Sequence, residues 1–397
     1  MKIVRLEIEN FRSLKSQTWS PGDLNVVIGP NAGGKSNLLK ALDLLRHSAK
    51  GRLSDYIQRE GGMFPIVWDG KAEYVRFQAK MTPIPPHEGE QHCLTYKVRL
   101  DRLGTSSAYR IGYELLGNFS KVDQGIETQP FKMLERDSNH AVVFSEKAKR
   151  FQAHPDFVPE VETLLSLAAG PFAANHYIAG FQLELAAWTV YQYFNTDHDA
   201  SVRSAQIPRP DTWVQTDGQN LVAVLHSLYT GSRDFKNAVN EAMRAAFGDD
   251  FDELVFPPAA DQRIQLRIRW KSLSCERSAS DLSDGTLRFL FLLAVLADPS
   301  PPPLIAIDEP ETGLHPSMLP IVAEFAREAS TRSQVILTTH SPEFLDAFGD
   351  DPPTTTIVDW AGGETRLRVL NGKELDYWLK QYSLGELYRS NELESMQ

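Results

Sequence analysis

Cysteine is almost missing: Cys93 and Cys275 are the only two in 397 residues. Two thiols build neither a disulfide framework nor a Cys-rich zinc site, and such sparse use fits a reducing, cytoplasmic setting. Long apolar runs are missing too. The longest strongly apolar stretch, Phe289 to Ala297, falls far short of the ~20 residues that cross a bilayer, so no membrane partner is expected. Met1 leads into an alternating pattern rather than a basic segment followed by an apolar one, so no secretory signal is expected. Positive charge is in deficit, with 41 Lys+Arg against 52 Asp+Glu and a formal net charge of −11. A chain this acidic does not hold nucleic acid by bulk charge; such contact needs a local basic patch. No internal repeat and no long heptad run is visible, which excludes solenoids and extended coiled coils. What remains is a globular composition, 42% hydrophobic and 10% aromatic. It excludes wholesale disorder and fills roughly two or three domains' worth of chain.

Along the chain, Ile3, Leu6 and Ile8 largely alternate with charged residues and predict a half-buried strand. Leu24 to Ile28 predicts a short buried strand, and Leu38, Leu39, Leu42 and Leu45 have helical spacing. Between them lies Gly29-Pro30-Asn31-Ala32-Gly33-Gly34-Lys35-Ser36. Tyr74 to Met81 and Leu94 to Leu100 predict strands of a β-rich flap, with a turn at Pro83 to Pro86. Val161 to Ala169, Leu183 to Val190, Asn220 to Tyr229 and Phe235 to Phe247 predict helices. Ile264 to Trp270 reads as a strand whose second face, with Arg267, Arg269 and Lys271, is basic. That face is either a solvated surface, the favoured reading, or a DNA-backbone contact. Trp188, Tyr191, Tyr193 and Phe194 are expected in the core rather than as a base-stacking platform. Buried strands at Leu304 to Ile307 and Val335 to Thr339, with helices around them, predict a largely parallel sheet covered by helices.

Four segments carry chemistry. Gly29-x4-Gly34-Lys35-Ser36 fits G-x-x-x-x-G-K-[ST] between a strand and a helix. There, glycines let backbone N–H groups curl around phosphates, Lys35 reaches the β/γ-phosphates and the Ser36 hydroxyl ligates Mg²⁺. Asp308 and Glu309 end a buried strand. Adjacent carboxylates there can split roles, Asp308 for the metal and Glu309 to polarise an attacking water. Leu282-Ser283-Asp284-Gly285-Thr286 opens a helix with a hydroxyl and free N–H groups, which suits an anion or a plain N-cap. His340 ends a strand, where a neutral imidazole could bond a γ-phosphate or its water.

In this order the segments resemble the ABC-type ATPase heads of the RecF/SMC superfamily. Gly29 to Ser36 resembles the Walker A motif, Leu304 to Glu309 the Walker B motif, Leu282 to Thr286 the signature and His340 the switch histidine. Asn10-Phe11-Arg12-Ser13-Leu14 resembles the segment whose arginine lies by the phosphates, and Gly313-Leu314-His315-Pro316 sits where the D-loop would be. The runs Glu309 to Pro316, Thr338 to Pro342 and Tyr382 to Tyr388 narrow the likeness to stand-alone bacterial AAA family ATPases related to the ATPase part of OLD-type phage-defence proteins. Two departures stand out. Residues 35 and 308 are too close in sequence for the long coiled coil of SMC proteins, and Asp346, Asp350, Asp351 and Asp359 do not make a Toprim nuclease. Asp284 also replaces the usual transporter glycine.

The resemblance implies a fold class: an α/β P-loop NTPase of ABC-ATPase head type, with a mixed sheet, helices, a β-rich flap and a helical insertion. One head would span 1–397, with a nucleotide-binding core at 1–45 and 255–397. The insertion, 46–254, would hold the flap at about 60–145 and the helical part at about 146–250. It implies ATP and Mg²⁺ as ligands. Asn31, Gly33, Gly34, Lys35, Ser36, Asn37 and Arg12 would bind nucleotide in one subunit, with Ser283 and Gly285 closing over it from the other. Gln182 and Gln192 are the candidates for the Q-loop glutamine. The expected function is a dimeric ATPase switch in DNA maintenance or anti-phage defence, with DNA as a candidate partner and a separately encoded effector such as a nuclease. The competing readings are a regulatory or scaffold ATPase whose insertion binds protein and, more weakly, a transporter-energising subunit.

Overall fold

The computed structural model describes residues 1–83, 92–104, 107–120, 131–137, 140–153, 158–170, 175–349, 351–370, 382–390 and 392. Asp350 and most of the turn expected at Pro83 to Pro86 lie outside the described residues. The chain divides into two compact units, one made of Met1–Gly22, Val27–Thr189 and Thr356–Val369, the other of Asp23–Val26, Val190–Thr355 and Leu370–Gln397.

The first unit is built on an eight-stranded sheet in the order Leu14–Trp19, Ile3–Phe11, Tyr74–Met81, His92–Arg102, Tyr109–Ser120, Phe131–Asp137, His140–Ser145, Arg150–Ala153. Every neighbouring pair is antiparallel. Ile3 and Leu6 are both buried although three positions apart, because a register shift between Ile3 and Arg5 restores the inward phase. The strands Ile3–Phe11 and Leu14–Trp19 meet as a tight hairpin through the Phe11↔Leu14 pair, with Arg12 in the left-handed region at φ 51. The expected flap strands are present, and the sheet extends well beyond them. Helix Lys35–Ala49 buries Leu38, Leu39, Ala41, Leu42, Leu44 and Leu45. Its last carbonyls, which no helix can satisfy internally, receive Thr163 Oγ1 on Ser48 O at 2.6 Å and Gln182 Nε2 on Ala49 O at 2.6 Å. The hairpin Thr354–Ala361 with Glu364–Val369 contributes its residues from Thr356 onward to this unit.

The second unit centres on the parallel strands Leu304–Asp308 and Gln334–Thr339, in register from Leu304↔Gln334 to Asp308↔Thr338. Val190 and Tyr191 belong to the strand that flanks Leu304–Asp308. On the far side Val335 donates its N–H to Asp23 O at 2.8 Å, and Asn25 Nδ2 donates to Val335 O at 3.1 Å. Helix Asp284–Leu296 is apolar almost all round and buries Leu287 and every residue from Phe289 to Leu296. Helix Leu319–Ser330 buries one stripe.

Two predicted elements differ in the folded chain. Leu183 to Val190 is not one helix: helix His176–Ala186 stops, and Thr189–Tyr191 is a strand. The β-branched pair Thr189-Val190 suits the pleated edge of a sheet better than a helix. Ile264 to Trp270 is not one strand either. Arg263–Ile264 pairs with Pro258–Ala259, and Arg267–Trp270 pairs with Phe251–Val255, so the alternation spans two sheets.

Candidate functional site

The phosphate-loop motif lies in the first unit. Gly34 precedes helix Lys35–Ala49 at φ 110, offers no side-chain cap, and no acid occupies the first turn. The helix therefore starts without a side-chain cap and presents the positive end of its dipole, which suits an anion. Backbone packing explains why glycine is required: a Cβ on Gly29 would meet Val358 O at 2.3 Å, and one on Gly34 would meet Thr365 Oγ1 at 2.1 Å. Thr365 Oγ1 bonds Gly33 O at 2.8 Å and Ser13 Oγ at 2.7 Å, and Asn37 Nδ2 donates to Ser13 Oγ at 2.7 Å. Ser13 thus joins the hairpin tip, the loop and the first helical turn. Lys35 is buried, and its Nζ donates to Gly29 O at 2.8 Å and Pro30 O at 3.2 Å. Asn31 and Ser36 are exposed. Arg12 Nη2 pairs with Glu60, which also receives Lys40 Nζ at 3.2 Å. Arg12 Nε is buried without a hydrogen-bond partner among the described residues. Glu60 and Thr365 were not legible in the sequence, since nothing local marks a residue whose partner is far along the chain.

The acids lie in the second unit. Thr338, opposite Asp308 in the parallel register, donates its hydroxyl to Asp308 Oδ1 and accepts the N–H of Glu309 at 3.1 Å. Glu309 N also bonds Thr338 O at 3.1 Å, and Glu309 adopts φ 47. A non-glycine residue held in the left-handed region is strained, and such strain collects at working positions. Arg12, Ala32 and Glu309, all within the segments singled out above, share that conformation. His340 Nδ1 lies 2.9 Å from Glu309 Oε1, and because a carboxylate only accepts, Nδ1 carries the proton. Glu311 lies beneath, its Oε1 accepting from Thr339 Oγ1 and its Oε2 buried without a partner among the described residues. Burial pushes its pKa up, opposed by the Thr339 hydrogen bond.

Asp308, Glu309, Gln192, Arg288 and Thr312 line a cavity of about 200 Å³ whose apolar wall includes Tyr191, Phe194 and Phe291. Phe194 stacks on Phe291 at 4.4 Å, and Tyr191 meets its edge at 5.2 Å. Trp188, Tyr191 and Phe194 are core residues as expected, but Tyr193 is 63% exposed. Of the two glutamine candidates, Gln192 faces this cavity, whereas Gln182 is spent on the helix carbonyl described above.

Ser283 is the N-cap of helix Asp284–Leu296: its Oγ accepts from Thr286 N at 3.2 Å and bonds Thr286 Oγ1 at 2.8 Å. Gly285 packs so closely on Gly313 that a Cβ would stand 2.6 Å from the Gly313 carbonyl. The signature-like segment and the D-loop-like segment are therefore in contact. The basic strand face is neutralised at Arg269. Arg269 bonds Glu253 at 2.6 Å and Glu276 at 2.8 Å, and Lys271 donates to Asp249 O at 2.6 Å. This favours the solvated-surface reading of that face.

The chemistry of each set of groups suits one part of a magnesium nucleotide. Ser36 and Asp308 offer hard oxygens, and among the described residues no group of three His, Cys, Asp or Glu could hold a metal. Mg²⁺ does not need such a cage, since it keeps waters and takes phosphate oxygens.

Comparisons with known proteins agree. A family model described as "AAA ATPase domain" matches residues 1–86, and one described as "AAA domain, putative AbiEii toxin, Type IV TA system" matches residues 169–346. The DNA replication and repair protein RecF of Moorella thermoacetica is 49% identical over 47 residues, 11% of this chain and 12% of that protein. The chain thus matches only a small part of RecF's length. An SMC head solved with the C-winged helix domain of ScpA superposes with TM-score 0.58 at 14% identity, over 94% of this chain and all of that one. A second SMC head, derived from Pyrococcus furiosus and bound to the C-terminal domain of ScpA, gives TM-score 0.53 at 12% identity, over 96% of this chain and 98% of that one. At these identities the structures speak for the fold, which is the expected α/β head of P-loop ABC type. Fold, phosphate loop and family matches together make this chain an ATPase with the P-loop ABC-type fold, similar in separate stretches to AAA ATPase domains and to RecF.

Proposed function

We propose that the chain is an ATP-driven switch that works as a homodimer, in DNA maintenance or anti-phage defence, with a separately encoded effector such as a nuclease. The observation that carries this reading is Glu309, strained at φ 47, one residue after Asp308, with His340 Nδ1 2.9 Å from its carboxylate. A carboxylate so placed can take a proton from water as that water attacks the γ-phosphorus and ADP leaves. His340 orients Glu309 and the water, and Gln192 faces the same cavity. Gly33, Gly34, Asn31, Asn37 and the first N–H groups of helix Lys35–Ala49 cradle the phosphates. Lys35 leaves the loop carbonyls for the β/γ-phosphate oxygens, and Arg12 trades Glu60 for phosphate. Ser36 and Asp308 would hold Mg²⁺, which would draw charge off the phosphates. Ser283 and Gly285 complete the partner subunit's pocket across a two-fold interface, so ATP favours the closed pair and hydrolysis releases it.

Glu309→Gln should retain ATP binding, abolish turnover and accumulate dimers, as read by steady-state ATPase assay and light scattering. Turnover at the wild-type rate would remove Glu309 as the base. Ser283→Arg should bind ATP as a monomer and fail to pair; normal turnover in it would rule out the trans arrangement. The RecF relative is named for DNA replication and repair, and both SMC heads were solved with a ScpA domain bound. These support a DNA-linked role and a protein partner. The neutralised face around Arg269 favours a second reading, a regulatory ATPase whose nucleotide state gates protein assembly. ATPase assays with and without duplex DNA across a salt titration separate the two: stimulation that fades with salt supports the first, and no response the second.

A further inference from the structure

Asp284, the departure from the transporter signature, pairs with an arginine outside the motif. Arg203 ends the short turn Ser201–Arg203, and its side chain is only 10% exposed. Its Nε donates to Thr196 O at 2.9 Å. Its Nη1 donates to Leu282 O at 2.7 Å, Ala279 O at 3.2 Å and Ser280 O at 3.3 Å, and its Nη2 to Asp284 Oδ1 at 2.5 Å. One guanidinium therefore holds the residues on both sides of Ser283. The three carbonyls come from backbone with no sheet ladder to satisfy them, and a planar, permanently charged fork can serve several at once. Gly285 is fixed independently by its close approach to Gly313. The segment is thus clamped on two sides, while the Ser283 hydroxyl turns onto Thr286.

We propose that Arg203, anchored by Asp284, is a positioning residue: it sets the backbone of residues 279–285 so that Ser283 and Gly285 meet the nucleotide of the partner subunit without first ordering a loop. This rests on the trans arrangement proposed above. A preset loop loses less freedom on pairing, and a misplaced one costs rate even though Arg203 touches no reacting atom.

The test uses the full chain with Arg203→Ala, Asp284→Ala, the double variant and Arg203→Lys. Asp284 is 65% exposed, so its truncation leaves the core intact if Arg203→Ala folds poorly. Three measurements are made: amide hydrogen exchange over 279–286 without nucleotide, binding of a fluorescent ATP analogue to the monomer, and ATP-driven pairing in the Glu309→Gln background, with kcat and KM measured in the Glu309 chain. Both alanine variants should exchange faster in that segment, bind the analogue as wild type does, and lose about tenfold or more in pairing and kcat at unchanged KM. The double variant should lose no more than the worse single one, because the two residues act as a unit. Lysine, a point charge, should rescue only part. Wild-type exchange and pairing in both alanine variants would overturn the proposal. So would a loss of analogue binding and melting temperature that tracks the loss of rate, the mark of a merely structural role. If the Glu309→Gln chain with Arg203 intact fails to pair with ATP, the trans arrangement itself falls, and this role with it.

Discussion

Single residues at this site are held by partners remote in sequence. Thr365 is the clearest case, since its hydroxyl bonds Gly33 O and Ser13 Oγ and abuts the space above Gly34. Gly34→Ala adds a Cβ 2.1 Å from that hydroxyl at φ 110, which is strained even where space exists. We expect the variant to remain folded in its cores and to lose measurable ATP affinity by titration calorimetry; wild-type affinity would show that the loop shape is not what binds. Thr365→Val removes both hydrogen bonds at near-constant volume, and should cost about 1–3 kcal/mol of stability by chemical denaturation, because the Gly33 carbonyl left behind is buried.

Elements here are fixed by docking as much as by their own propensity. Helix Leu384–Arg389 is six residues long, too short to persist alone, and it carries a complete capping box between Ser383 and Glu386. It lies against helix Pro342–Asp346, which follows His340. Gly385 N donates to Asp346 Oδ1 at 2.8 Å, and Arg389 pairs with Glu343 at 3.1 Å and Asp346 at 3.4 Å. A Cβ on Gly385 would stand 2.3 Å from Pro342 O. Gly385→Ala should therefore lift the short helix, costing about 1–3 kcal/mol and opening a protease site near residue 382. An unchanged melting curve and digestion pattern would refute that account. The run Tyr382 to Tyr388, legible only as a motif, thus has a packing meaning: its glycine lets two helices touch behind the His340 turn.

Across the whole molecule, burial sets the pH response. Glu114 is wholly enclosed, accepting from Leu164 N, Leu165 N and Tyr96. Its pKa is pushed up to about 7 by desolvation, against the pull of those hydrogen bonds and of Arg136. Burial likewise raises Asp298 to about 6, opposed by the Ser300 N–H and Arg332. Both carboxyls bind a proton more tightly folded than unfolded, so the stability they contribute is full below pH about 4 and lost as pH rises through 6 and 7. Denaturation midpoints should rise from pH 8 toward pH 6 from these two groups, and Glu114→Gln should flatten that slope. A slope unchanged by Glu114→Gln would place the titration elsewhere.

Residue order alone sets the phosphate loop, the buried strands that end at Asp308 and just before His340, and the strongly periodic helices. In each, one short segment contains both the signal and its cause, through glycine freedom, β-branched runs or helical spacing. The folded backbone settled which glutamine lines the cavity with the acids and that Asp284 pairs with Arg203. It also decided that Glu60 neutralises Arg12 and that the basic face around Arg269 is already paired. Those outcomes depend on contacts between residues distant along the chain, and such contacts exist only once the backbone has brought them together.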